Sequence, residues 1–227
     1  IPQDPAYHLF ADTRTLWGVT NAWNVLSNIP LMLIGVYGFL RSRNLARSKI
    51  KNGYLALCLG VFLVGLGSIY YHLAPSTSTL VWDRLPMSIG FMALLSLLLD
   101  ERVIKTSNWS TLWPLLAIGI VSVVYWAGSE SIGQGDLRLY VLVQFLPLVL
   151  MPIILVLFAP KDISNDLLVM SLALFVLAKL LEHFDQQVFE ITRSLSGHSL
   201  KHLVAAAAVL CLVIAVPSKS DDAGRTP

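Results

Sequence analysis

The chain has 227 residues, 56% of them hydrophobic and only 13% charged, about half the charged share of a soluble domain. A mean hydropathy of +0.69 with a formal net charge of only +2 excludes a soluble globular domain and gives no sign of a nucleic-acid partner. It points to an integral membrane protein whose length suits one compact domain over 1–217.

The first segment, Ile1–Asp12, lacks a charged region followed by a short apolar one, and reads as a trimmed or processed terminus. Crossing the hydrocarbon core takes roughly 20 mostly apolar residues per helix. Seven stretches qualify: 22–40, 53–72, 80–99, 111–128, 137–158, 166–183 and 199–216. The short gaps between them make neighbours antiparallel, and the expected fold is an all-α, seven-span bundle. Pro30, Pro86, Pro147 and Pro152 fall inside these spans, where neighbouring helices satisfy the freed backbone groups. Cys58 and Cys211 lie in apolar runs and read as small buried residues rather than a disulfide framework. Residues 218–227 are polar and expected to be disordered.

Basic residues set the orientation of such a bundle. Arg41, Arg43, Arg47, Lys49 and Lys51 crowd the first connection, which places it in the cytoplasm, with the N-terminus outside and the C-terminus inside. Arg102, Lys105, Lys161, Lys219 and Arg225 agree; Arg138, Arg193 and Lys201 fall on the outer side and count mildly against it. The sequon Asn108-Trp109-Ser110 lies on the cytoplasmic side and reads as chance. Tryptophans near the span ends, Trp126 among them, fit an interfacial belt.

Ionisable groups inside a span are expensive and mark functional sites. His72 ends the second span with Ser68 one turn before it, Asp83 begins the third, and His198 and His202, one turn apart, begin the seventh. Given the alternating directions, all five fall at one depth near the outer leaflet. Three neutral imidazoles with one open position suit a catalytic zinc ion, whose bound water ionises near pH 7. Asp83 is then placed to take the water's proton and Ser68 to donate to a developing oxyanion. This is equipment for hydrolysing a carbonyl compound, and apolar walls make a lipid the natural substrate. The plainer readings are an incidental HxxxH pair, a serine bonded to a backbone carbonyl, and an Asp83–Arg84 ion pair at a helix end. His183, with Glu182 and Asp185, is a rival ligand, a support for the ligating histidines, or a solvated interfacial group. Lys179 is expected to pair with Glu182, Asp83 or a substrate group, and His8 to be solvated.

The segments FADTRTLWGVTNAWNVLSNIPLMLIG, GSIYYHLAPSTSTLVWDRLPM, LAKLLEHFDQQVF and SGHSLKHLVAA resemble the alkaline ceramidases, part of a superfamily that includes adiponectin-receptor-like proteins and hemolysin III. The resemblance covers nearly the whole chain. It rests on the combination S-x3-H, an aspartate eleven residues after that histidine, and a late H-x3-H: Ser68, His72, Asp83, His198 and His202. It implies seven helices with a lumenal or extracytoplasmic N-terminus. It also implies zinc held by His72, His198 and His202, catalysis by Asp83 and Ser68, and cleavage of ceramide to fatty acid and sphingoid base. Eukaryotic members add an acidic calcium site near the first span; here Asn21 stands where an acid would and only Asp12 remains nearby, so calcium is not expected. Short loops suggest a bacterial inner membrane, otherwise an ER- or Golgi-type membrane, and leave room for another N-acyl lipid as the natural amide. The alternative is a seven-helix lipid receptor or lipid-binding protein with a structural zinc site. A haem carrier would need histidines facing each other across the haem rather than bunched in one layer, and a serine protease would need a GxSG motif that Gly67-Ser68-Ile69 breaks.

Overall fold

The computed structural model describes residues 1–45, 49–104, 110–160 and 162–217. Arg47, Lys105, Lys161, Lys219, Arg225, most of the sequon and the 218–227 tail lie outside the described residues. The described chain is all-helical: α1 (Ala22–Leu26), α2 (Ile29–Ser42), α3 (Lys49–Leu73), α4 (Thr77–Leu98), α5 (Leu112–Ser131), α6 (Arg138–Leu157), α7 (Asn165–His183), α8 (Asp185–Thr192) and α9 (Gly197–Ala215). Six segments are long and apolar enough to cross a membrane, and α7, bent by 81° into α8, is the seventh candidate. All seven expected spans therefore have a counterpart.

The first span is not one continuous helix. It breaks at Ser27–Asn28, and Pro30 sits in the opening turn of α2 rather than inside a helix as the sequence suggests. Proline suits a first turn because its missing N–H would have had no intrahelical partner there. Pro86, Pro147 and Pro152 do lie within helices. The 100–110 connection also differs from expectation. A π turn, Leu99–Val103, extends α4. Its Arg102 is fully buried, donates to Glu101 at 2.7 Å and to the Ile163 carbonyl at 3.0 Å. A cation spent on a buried pair is no loop charge.

α3 packs closely against α2 and α4, α7 lies along α9, and α9 returns to α2. α6 leans on α4 and α5 and meets α7 at only a few residues, so the α6–α7 seam is the thin wall of the bundle. The main apolar core, including Leu57, Val61, Leu94 and Val213, fills the half remote from the N-terminal segment. A smaller cluster of Phe10, Tyr71, Leu80, Val123, Trp126 and Tyr140 sits beneath that segment. The face bearing residues 1–12 is the N-terminal face below.

Candidate metal centre

Two helix ends bring three histidines together at the N-terminal face. α3 delivers His72 in its last turn, and α9 delivers His198 and His202 in its first two. Ser196 caps α9 by accepting from the Ser199 N–H at 3.1 Å, which starts the helix early enough to aim both histidines at α3. Gly197 allows this close approach: a Cβ there would lie 2.8 Å from Asp185 Cα and overlap the Leu181 carbonyl.

The three imidazoles are buried, at 1%, 6% and 7% exposure for His72, His198 and His202. Their ring centroids are 4.9–5.0 Å apart, and one nitrogen from each lies within 4.8 Å of the others. His72 Nε2 and His198 Nε2 are 3.3 Å apart. Two nitrogens bound tetrahedrally at about 2.0–2.1 Å would be separated by about 3.3–3.4 Å, so this pair is spaced for a shared metal ion. The residues fit a cation.

Each ligand candidate is held from behind. Ser27 Oγ lies 2.8 Å from His202 Nδ1, placed to accept its N–H and so leave the Nε2 lone pair for the cluster, with Asn28 Nδ2 3.3 Å from the same nitrogen. The His198 backbone N–H donates to Asp185 at 2.6 Å, and Asn21 Nδ2 donates to the His72 carbonyl at 2.8 Å. Asn24 is fully buried; its Oδ1 accepts from Ser199 Oγ at 2.7 Å and its carbonyl from Asn28 Nδ2 at 2.7 Å. In the sequence Asn21 marks only a missing calcium ligand, and this polar edge of the first span is not singled out as a support for the histidines. The signal was there: Asn21, Asn24 and Asn28 follow at intervals of three and four, one face of a helix. Partners of this kind tune metal affinity by about 10–100-fold. Ser27→Ala with Asn28→Ala is therefore expected to raise the metal dissociation constant by about that factor, measured by competition with a chromophoric chelator; an unchanged constant would show the contact to be mere packing.

Asp83 and Ser68 come together on the same cavity as His202. This cavity, about 200 Å³, is also lined by Asn28, Arg84, Lys179, Glu182 and Lys201. Ser68 is buried and shares the cavity wall with the half-buried Asp83. Gly67 sets their spacing: a Cβ there would lie 2.7 Å from the Trp82 carbonyl carbon and 3.3 Å from Asp83 Cα, so α3 and α4 touch main chain to main chain. Lys179 and Lys201 both donate to Glu182. A second cavity of about 130 Å³, apolar but for Ser171, shares Leu31, Val64, Met87, Phe175 and Ala205 with the first.

Of the three readings of His183 the solvated one fits: it is exposed and outside the histidine cluster. Other expectations change. Arg84 does not pair with Asp83: neighbours in a helix point in different directions. Its guanidinium lies 4.2 Å from the Trp126 ring centroid, 4.7 Å from Tyr140 and 5.4 Å from Tyr7. Trp126 is fully buried rather than part of a surface belt.

Residues 1–12 strap the N-terminal face. The Gln3 N–H donates to Glu130 at 2.6 Å and the Ala11 N–H to Asp185 at 2.9 Å, so the strap spans from the α5 end to α8. Phe10 packs on His72 and His198, with centroids 4.8 and 4.5 Å away. Asp12 is buried, which raises its pKa, but the hydrogen bonds from Arg14 prevail and hold it below the usual range. His8 is not simply solvated: its ring reaches Tyr71 Oη at 2.9 Å and Thr77 Oγ1 at 3.2 Å. Burial, then the charge of Arg84, lower its pKa. The folded strap thus prefers neutral His8, and this contribution, complete above the unfolded value of about 6.5, is lost as pH falls below it. Hydrogen-exchange protection of residues 5–11, corrected for intrinsic rates, should fall between about pH 7 and about pH 5.5, and stay flat over that window in His8→Asn. A flat wild-type profile would remove His8 as the cause.

A family model described as Ceramidase matches residues 15–219.

Proposed function

The chain belongs to the ceramidase family, hydrolases of the ceramide amide bond, and from that premise we propose that it is a zinc-dependent intramembrane amidohydrolase with His72, His198 and His202 as the metal ligands. The observation carrying this reading is that three buried imidazoles form one cluster, and one of them, His202, lines a cavity whose wall also bears Asp83 and Ser68. A purely structural metal would not need that cavity.

A zinc ion bound there supplies an acidified water and polarises the amide carbonyl. Asp83, as general base, holds the water's proton on a carboxylate oxygen and returns it to the departing amine nitrogen. Ser68 donates its Oγ–H, either to orient that carboxylate or to the carbonyl oxygen as negative charge builds on it. Ser27 and Asn28 fix the His202 ring, and Phe10 excludes bulk water from the histidine face.

The two joined cavities match an N-acyl lipid. The amide lies beside Asp83 and His202 and the acyl chain runs into the apolar cavity. Phe145 of α6 and Phe175 of α7 face the cavity at the thin seam, which supports entry from the bilayer without passage through water. The basic residues of the α2–α3 connection support an N-terminal face outside the cytoplasm.

Metal content and ceramide hydrolysis on one detergent-purified sample, with and without a chelator, test the proposal. About one zinc per chain, with fatty-acid release lost on chelation and restored by zinc, is the expected result. Tight ceramide binding with zinc present and no release would instead favour a lipid receptor with a structural metal.

A further inference from the structure

Five carboxylate, ammonium or guanidinium side chains line the cavity: Asp83 and Glu182 against Arg84, Lys179 and Lys201. The two lysines converge on Glu182, and Asp83 shares its wall with Ser68. Arg84 is the cation left over. It is only 6% exposed, yet no carboxylate among the described residues forms an ion pair with it. The rings of Tyr7, Trp126 and Tyr140 surround its guanidinium. Ring faces attract the charge but accept no in-plane hydrogen bond from the guanidinium edge. Nη1 on that edge is buried without a partner. A guanidinium set among aromatic rings on a cavity wall, with Nη1 lacking an acceptor, is pre-organised for an oxyanion.

Resting on the hydrolase reading above, we propose that Arg84 receives a carboxylate or phosphate on the amine side of the scissile amide, so that the preferred substrates are N-acyl lipids with an anionic head. The acyl side is taken by the apolar cavity, which offers no cation. The polar end of the first cavity, bounded by Tyr7, Arg84 and Tyr140, is left for the amine portion. Arg84 is here a specificity residue: it contacts the head group and takes no part in the proton transfers.

A matched pair of lipids tests this. N-hexadecanoylglycine and N-hexadecanoylethanolamine share the acyl chain and differ in a carboxylate against a hydroxymethyl group. Wild-type protein should favour the glycine conjugate in kcat/KM by about tenfold or more, the usual scale for one charge-assisted contact. Arg84→Gln should bring the ratio to about one, and Arg84→Lys, which keeps the charge but not the fork, should leave it between. A second arm needs no turnover: chelator-treated wild-type protein in neutral detergent is titrated with hexadecyl phosphate and with hexadecanol. Saturable binding of the phosphate alone, absent in Arg84→Gln, is expected. Hydrolysis of both lipids with no preference and no phosphate binding overturns the anion subsite and leaves the hydrolase standing. Phosphate binding without hydrolysis of any amide keeps the subsite and removes the hydrolase. A wild-type preference that survives in Arg84→Gln transfers the role to another residue and overturns the assignment. Should Arg84→Gln fail to fold, a wild-type ratio of one, or hexadecanol binding as well as the phosphate, still sinks the proposal.

Discussion

His72→Ala will purify without stoichiometric metal and release no measurable fatty acid, a loss of more than about a thousandfold, since metal activation is worth several kcal/mol of barrier. His72 ends one helix while its two companions begin another, so no single helix can hold the ion once it is gone. His198 and His202 keep their own support from Asp185, Ser27 and Asn28, and the variant should fold. Elemental analysis beside a thermal unfolding curve separates the two effects. Full metal content with normal unfolding would remove His72 from the ligand set. Partial metal with strongly reduced activity would mean that the remaining pair binds but cannot hold the working geometry.

Asp83→Asn should give the opposite pattern: metal retained at about one per chain and kcat reduced by about 10²–10⁴, the usual share of positioned acid–base catalysis. The amide keeps the shape of the carboxylate but cannot hold the water's proton. KM should move little, because the acyl chain is gripped elsewhere. Full turnover in Asp83→Asn would end its role as general base, whereas joint loss of metal and activity would recast it as a support for the ligands.

The bundle was legible because the bilayer makes a simple demand: about 20 apolar residues per crossing. That rule locates spans to within a few residues but does not see how a span is interrupted. The break at Ser27–Asn28 shows only as Asn-Ile-Pro, and it is what turns two polar residues toward His202. α8 escaped because eight residues of mixed polarity meet no length criterion. The five residues expected at one depth do meet at one face, since each lies within a turn or so of a span end and alternation of direction fixes its side of the membrane. The Asp83–Arg84 ion pair, one of the plainer readings, fails because adjacency in sequence is not adjacency in space. The actual neighbours of Arg84 come from the N-terminal segment, α5 and α6, distances along the chain that no local pattern reports. The same holds for Arg102 and Glu101, whose backbone partners belong to the connection before α7.

The contact at Gly67 bears on how the protein can drift in sequence. Where two backbones touch, the gap between Ser68 and Asp83 is not set by any side chain that could be exchanged for a slightly larger or smaller one. Lipid-facing positions such as Leu66, Tyr70 and Trp82 are thus free to follow the thickness and composition of the host bilayer, because substitutions there do not alter the reacting geometry. Adaptation to a new membrane and adaptation to a new substrate fall on separate residues, the first on the outer surface and the second on the cavity wall.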